Sequence, residues 1–243
     1  VHAMTAFAFV FPGQGSQSVG MLDAWGDHPA VLQTLEESSS ALGEDMGKLI
    51  HEGPKEVLDL TTNTQPVMLT AAIACYRAWR AEGGAEPAAV AGHSLGEYSA
   101  LVAAGALSLA DALPLVRFRA QAMQQAVPVG VGAMAAILGL DATQVREGCA
   151  AVAAASGEVV EPANFNDPKQ TVIAGSKAGV DLACEKLKAM GAKRALLLAV
   201  SAPFHSSLMK PAADALRDKL ANVVLHAPRI AVVNNIDVAV QTE

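Results

Sequence analysis

A chain of 243 residues, 52% hydrophobic and 17% charged, has the balance of a globular enzyme and excludes a disordered segment. The length fits one large domain, or one domain carrying a smaller insertion, and an apolar content with only 4% aromatics suits helices packed on a parallel sheet. The net charge of −7 disfavours nucleic acid and anionic membrane as partners, and an acidic protein partner would need a local basic patch to dock.

Val1-His2-Ala3 ahead of Met4 reads as a cloning remnant, and no export signal is expected because the apolar run from Ala6 to Phe11 is short and lacks a basic flank. Phe7 to Phe11 reads as a buried strand stopped by Pro12-Gly13 and followed by a glycine-rich loop, Gly13-Gln14-Gly15-Ser16-Gln17. Asn63-Thr64-Gln65 before Pro66 predicts a helix start, with Pro66 at an early position where its missing N–H costs nothing; that helix ends near Gly83-Gly84. Pro87 to Ala91 reads as a second strand, and the run after Ser94 as a helix. Ser108 with Asp111 resembles a capping box for a helix reaching about Val127, kinked or shifted by Pro114. The uncharged run Ala120 to Leu140 is long enough to raise a membrane span, but Pro128, Gly130 and Gly132 break it into a helix end, a turn and a strand.

From Gly132 the rhythm changes. Ala133–Leu140 reads as strand, Ala142–Ala155 as helix, and Val159–Phe165 and Thr171–Ala174 as strands. Lys177–Met190 reads as helix, Lys193–Val200 as strand. This β-α-β-β-α-β order places a small inserted domain at 131–200, with the main domain made of 1–130 and 201–243 and including a strand at Ile230–Val233.

Gly92-His93-Ser94-Leu95-Gly96 fits G-x-S-x-G with a strand before it and a helix after it. A serine on a strained turn exposes its hydroxyl, and small residues two positions either side keep strand and helix from clashing. The amide of Leu95 then points from the helix N-terminus at an oxyanion forming on acylated Ser94. Such a serine needs a base. Of six histidines, His93 is adjacent in the turn and His2 lies in the remnant. His28 and His51 sit among polar loop residues, and His226 lies in a connection beside Pro228. His205, in the loop Ser201-Ala202-Pro203-Phe204-His205-Ser206 leaving a strand, is the best candidate; the alternative is a hydrogen-bonded loop histidine. Arg119 shares a helix face with Leu115, Val116 and Met123, so its guanidinium lies on an apolar stripe and needs a partner, either a structural carboxylate or a substrate carboxylate. Arg117 looks like a solvated residue. Cys75, Cys149 and Cys184 form neither a disulfide framework nor a zinc site, and fit a reducing cytoplasm.

These residues resemble the malonyl-CoA:acyl-carrier-protein transacylases, the acyltransferases of bacterial fatty acid synthesis. The resemblance rests on Phe-Pro-Gly-Gln-Gly-Ser-Gln (11–17), Thr-Gln-Pro (64–66), Gly-His-Ser-Leu-Gly-Glu-Tyr-Ser-Ala (92–100) and the Arg119 helix. It continues with Gly-Ala-Met-Ala-Ala (132–136), Asn-Phe-Asn (164–166), Pro-Phe-His-Ser (203–206) and Val-Val-Asn-Asn (232–235), in order along the whole chain. The resemblance implies an α/β-hydrolase-like parallel-sheet core with an inserted ferredoxin-like small domain. It implies Ser94 as nucleophile toward malonyl-CoA, His205 as base, and the amides of Gln14 and Leu95 as oxyanion hole. Arg119 would clamp the malonyl carboxylate, with Gln65 and, more weakly, Asn164 close by and Phe204 crowding an α-methyl branch. The acceptor is the phosphopantetheine thiol of acyl carrier protein, and no metal or redox cofactor is implied.

The family pattern continues past the position of Glu243 with a helix and strand whose backbone carbonyl orients the histidine, where other serine hydrolases use Asp. This sequence has no counterpart, so truncation is expected. A serine thioesterase or esterase would share the elbow but needs an acid between Ser and His in chain order. Asp141, Asp167 and Asp181 all fall in the insert. A carrier-binding module with an impaired site is the non-enzymatic alternative. Lys186, Lys188, Lys193 and Arg194 are the candidate basic patch for an acidic carrier, or an ordinary solvated face.

Overall fold

The structure, a computed structural model, describes residues 5–200 and 202–242; the expected remnant at 1–3 and Ser201 of the histidine loop lie outside the described residues. The fold is α/β, and the chain divides into two compact units, residues 1–120 with 219–243 and residues 121–218.

The larger unit begins with β1 (Ala8–Phe11), followed by α1 (Pro29–Leu42), α2 (Met46–Glu52), the single turn α3 (Lys55–Leu58) and α4 (Thr61–Ala81). Then come β2 (Ala89–Gly92), α5 (Gly96–Ala103) and α6 (Leu109–Gln125), whose last turn belongs to the smaller unit. Helix α1 starts where Pro29 takes the first position and His28 caps it, accepting from the Ala30 N–H at 3.1 Å; it ends at Gly43 in a left-handed conformation. His28 is therefore a capping residue that also pairs with Glu82 at 2.8 Å, and His51 lies in the last turn of α2 against Asp23. His28 thus lies in the connection the sequence suggested, whereas His51 is helical rather than a loop residue. Leu22, Val31, Leu35, Met46, Ile50, Leu58, Val67 and Ala74 form the apolar core beneath α1, α2 and α4.

Helix α4 starts at Thr61, earlier than expected, so Pro66 falls in its second turn rather than at its start. The first turn is held from outside the helix, with Asn63 Nδ2 donating to the Val57 carbonyl and Thr64 Oγ1 to the carbonyls of Leu58 and Leu60. In α6 the Ser108 hydroxyl does accept the Asp111 N–H, at 3.1 Å, and Pro114 lies inside the helix.

The smaller unit runs through β3 (Gly132–Leu138), α7 (Ala142–Ser156), β4 (Val160–Asp167), β5 (Gln170–Ser176), α8 (Lys177–Ala189) and β6 (Arg194–Leu197), then enters α9 (Lys210–Leu220). The uncharged run at 120–140 resolves into the end of α6, a turn and β3, and no helix among the described residues is long and apolar enough to cross a membrane. The four strands form an antiparallel sheet in the order β4-β5-β3-β6. Alternation along β3 and β5 buries both faces. Ala135, Ile137 and Ile173 pack with Val145, Val180 and Leu187, whereas Met134, Ala136, Val172 and Ala174 pack with Met123, Val127, Phe204 and Met209. That second face draws the end of α6 and residues 202–212 into the unit, which is why it is wider than the 131–200 expected.

Back in the larger unit, β7 (Ala231–Val233) and β8 (Val240–Gln241) complete a mixed sheet in the order β1-β2-β7-β8. Strands β1, β2 and β7 are parallel, with Phe11 opposite Gly92 and Ala91 opposite Val233, while β8 is antiparallel. The carboxyl ends of β1, β2 and β7 therefore share one edge, where ligand sites of parallel sheets gather.

Candidate active site

Ser94 sits between β2 and α5 with φ +51°, a left-handed conformation that a non-glycine residue adopts at a cost of about 1–3 kcal/mol. The flanking glycines are required by close approach. A Cβ on Gly92 would lie 1.9 Å from the carbonyl carbon and oxygen of Gly96, and one on Gly96 would lie 2.2 Å from the Phe11 carbonyl oxygen. Strand β1, the turn and the first turn of α5 are thus in direct backbone contact. The next loop is equally close, because a Cβ on Gly13 would lie 2.5 Å from the His93 carbonyl oxygen. Gln14 follows directly, and its side chain donates to Thr61 Oγ1 at 3.1 Å, tying this loop to the start of α4. Leu95 is 1% exposed and is the N-cap of α5, so its N–H stands at the positive end of the helix.

Arg119 comes from α6 and is 9% exposed. Its Nη1 donates to Oε1 of Gln65, itself 1% exposed, at 2.7 Å, and its Nη2 donates to Ser94 Oγ at 3.2 Å. The guanidinium also lies 5.5 Å from the centre of the Tyr98 ring. Among the described residues no carboxylate forms an ion pair with it. Burial draws the guanidinium below its usual range, and Tyr98 and Glu97 oppose the shift; the same burial pushes the Tyr98 phenol up. Of the two partners the sequence left open for Arg119, a structural carboxylate is therefore absent among the described residues.

Asn235, just after β7, is a residue of this site that the sequence reading did not single out. Its Oδ1 accepts the Ser94 N–H at 2.8 Å, its Nδ2 donates to the Gly92 carbonyl at 2.6 Å, and its own N–H donates to Glu97 Oε2 at 2.9 Å. The signals available were the Val-Val-Asn-Asn and Gly-Glu-Tyr segments, neither of which carries a local sign of this role.

The larger unit thus brings together Ser94, Leu95, Gln14, Gln65 and Arg119. His205 and Phe204 belong to the smaller unit. His205 is exposed with φ +60°, and the loop around it is held by Ser206 Oγ donating to the Pro203 carbonyl at 2.6 Å and by the Ser207 N–H donating to Glu161. Phe204, 6% exposed, packs in the apolar cluster with Met134 and Met209, so its ring has a core role in this unit. Asn164 lies in β4, opposite Val172. Arg117 is not merely solvated: it forms a two-pronged pair with Glu44 at 2.6 and 3.0 Å.

Thiols offer no rival nucleophile of comparable placement. Burial raises Cys75 and Cys184, and pushes Cys149 up to about 12, so each stays a neutral thiol near pH 7. No group of three His, Cys, Asp or Glu side chains among the described residues could hold a metal ion.

A half-buried serine on a strained strand-to-helix turn, a helix-end amide and a buried guanidinium without a carboxylate partner among the described residues could together hold a carboxylated substrate and accept its acyl group. Comparison with known proteins agrees. The acyl transferase domain family model matches residues 8–242. The malonyl CoA-acyl carrier protein transacylase of Escherichia coli strain K12 is 55% identical over 240 residues, covering 98% of this chain and 77% of that protein. The Bacillus subtilis protein of the same name is 47% identical, covering 99% and 75%. The crystal structure of acyl-carrier-protein S-malonyltransferase from Burkholderia pseudomallei 1710b is 68% identical with a TM-score of 0.95, covering 98% of this chain and 77% of that one. A chain of a structure described as a type II PKS acyl-carrier protein in complex with its malonyl-transacylase is 50% identical with a TM-score of 0.95, covering 98% of this chain and 77% of that one. This chain belongs to the acyl transferase domain family, among the malonyl CoA-acyl carrier protein transacylases.

Proposed function

We propose that this chain transfers the malonyl group of malonyl-CoA to the phosphopantetheine thiol of acyl carrier protein through a malonyl-Ser94 ester, a step of fatty acid biosynthesis. The observation that carries this reading is Arg119, a buried guanidinium with no carboxylate partner among the described residues, one hydrogen bond from the Ser94 hydroxyl. A three-carbon diacid esterified to Ser94 puts its free carboxylate within reach of that guanidinium, and Gln65 fixes the guanidinium plane from the other side.

In the proposed reaction the Ser94 oxygen attacks the thioester carbonyl and His205 accepts the hydroxyl proton. The tetrahedral oxyanion is bound by the N–H groups of Leu95 and Gln14. The carbon–sulfur bond breaks and CoA leaves as the thiol with that proton. The carrier thiol then gives its proton to His205, attacks the ester carbonyl, and Ser94 leaves and is reprotonated. Acyl exchange between sulfur and oxygen changes no oxidation state, so the proposed step needs no redox group, and the proton transfers and oxyanion binding are assigned to protein groups rather than to a metal. The Gly13–His93 approach supports Gln14 as an oxyanion donor. The assignments of His205 and Phe204 rest on the sequence resemblance.

Within this reading the core is α/β-hydrolase-like and the smaller unit ferredoxin-like, as its β-α-β-β-α-β order and antiparallel strand order support. Three free cysteines support a reducing, cytoplasmic setting. The test is intact-mass analysis of the full-length protein with malonyl-CoA, then with added holo carrier protein. A malonyl adduct on Ser94 that moves to the carrier is expected. CoA release without carrier malonylation would establish a thioesterase instead, and absence of the adduct would overturn Ser94 as nucleophile.

A further inference from the structure

The bonds between Asn235 and the elbow follow a recognisable pattern. In a parallel ladder, a residue on one strand donates its N–H to the carbonyl preceding its partner and accepts the N–H following it. The β2–β7 ladder ends with Ala91 opposite Val233. Two residues further on, the Asn235 side-chain amide donates to the Gly92 carbonyl at 2.6 Å and accepts the Ser94 N–H at 2.8 Å. These are the two bonds that a parallel strand's backbone would make opposite His93. The backbone of β7 makes no such pair here, because Asn234 and Asn235 already turn toward β8, with the Asn234 Oδ1 accepting from the N–H groups of Ile236 and Asp237. A side-chain amide thus carries the ladder through the turn where Ser94 takes φ +51°. The amide is itself fixed, since the Asn235 N–H donates to Glu97 Oε2, in the first turn of α5. Strand end, nucleophile and the following helix are thereby closed into one hydrogen-bonded ring. The Ser94 N–H is committed to Asn235, which leaves oxyanion binding to other amides.

We infer that Asn235 is a positioning residue for Ser94, holding the left-handed turn by pairing with Gly92 and Ser94 as a strand would, with Glu97 as its anchor. This inference rests on Ser94 as the nucleophile. Without the amide, the turn relaxes toward ordinary backbone angles and the hydroxyl leaves its alignment with the acyl carbon; misplacement of about 1 Å costs on the order of 10²-fold in rate.

The test uses full-length protein with Asn235→Ala, Glu97→Ala and Glu97→Gln, measuring melting temperature, kcat and KM for malonyl-CoA, and the rate at which a fluorophosphonate labels Ser94. Expected for folded Asn235→Ala is a fall in kcat and in labelling rate of roughly 10- to 100-fold, with KM changed less than about threefold. Glu97→Ala should lose less, and Glu97→Gln, which keeps an acceptor for the Asn235 N–H, should recover most of that loss. Wild-type kcat and labelling in Asn235→Ala would overturn the inference, whatever its melting temperature. If Asn235→Ala does not fold, the Glu97 pair decides, and equal labelling rates in both would overturn it. Lack of labelling or malonylation in the wild type is the different failure, that of Ser94 itself.

Discussion

The Arg119 guanidinium donates to the Ser94 hydroxyl at 3.2 Å, joining a buried cation to the elbow serine through one hydrogen bond across 25 residues of sequence. A ligand that pairs with the guanidinium is therefore held beside the Ser94 hydroxyl. Arg119→Ala should lower kcat/KM for malonyl-CoA by about 10²-fold or more, while acetyl-CoA, which has no carboxylate to pair, should lose far less. The malonyl-to-acetyl ratio measured on the same preparations checks this. An unchanged ratio would make Arg119 a structural residue.

The elbow glycines give a prediction of another kind. A methyl group on Gly92 meets backbone, at 1.9 Å from the Gly96 carbonyl, and backbone cannot rotate away as a side chain can. Gly92→Ala should cost about 3 kcal/mol or more and displace Ser94, so denaturant unfolding should show a large loss together with a loss of fluorophosphonate labelling. A soluble Gly92→Ala protein of unaltered stability and labelling would show that the turn has slack.

His205 stands exposed on its loop at φ +60°. If it is the base, His205→Ala should slow CoA release from malonyl-CoA by about 10²–10⁴-fold, the usual worth of a positioned proton acceptor. Stopped-flow release with a thiol dye reads this directly, and a loss below threefold would return His205 to the standing of an ordinary loop histidine.

How much of this could be read from the sequence depended on how locally each feature is encoded. The elbow was legible because its glycines, serine and flanking elements fall within a dozen residues, and Arg119 because its burial shows as a helical stripe. The α7 and α8 segments likewise announce their starts, Asp141 and Ser176 each capping the N–H three residues on. Helix α1 went unread although Pro29 and Gly43 stand where helices begin and end. Its polar, serine-rich outer face obscured the apolar stripe of Val31 and Leu35. Asn235 and Arg117 could not be read in this way. Asn235 bonds residues 138 to 143 positions away and Arg117 pairs with Glu44 across 73, so their partners exist only once the chain is folded.

The basic residues of the smaller unit bear on the acceptor. Lys186, Lys188, Lys193 and Arg194 are all exposed, on α8 and at the start of β6. If they receive an acidic carrier, reversing three of them to Glu should raise the carrier KM about tenfold and flatten its dependence on salt, because rim charges act mainly through steered encounter. Carrier kinetics at several ionic strengths decide. An unmoved KM and salt slope would leave these residues as a solvated face.

The pair between Arg117 and Glu44 predicts a pH dependence of stability. The hydrogen bond from Arg117 holds the Glu44 carboxyl below its ordinary value, against a smaller opposing effect of burial. A carboxylate whose folded pKa is depressed stabilises the fold above its unfolded pKa, and that contribution fades as pH falls through the lower folded value. The Glu44 side chain is 43% exposed, so solvent screening limits the pair to about 0.2–1 kcal/mol. Glu44→Gln should therefore melt roughly 1–3 °C lower than wild type at pH 7, and the gap should narrow as pH falls through the depressed folded value and Glu44 takes up its proton. Melting curves across pH 3 to 8 check this. A gap that stayed the same size across that range would assign the effect to packing around Arg117, whose Nε is buried without a hydrogen-bond partner, rather than to charge.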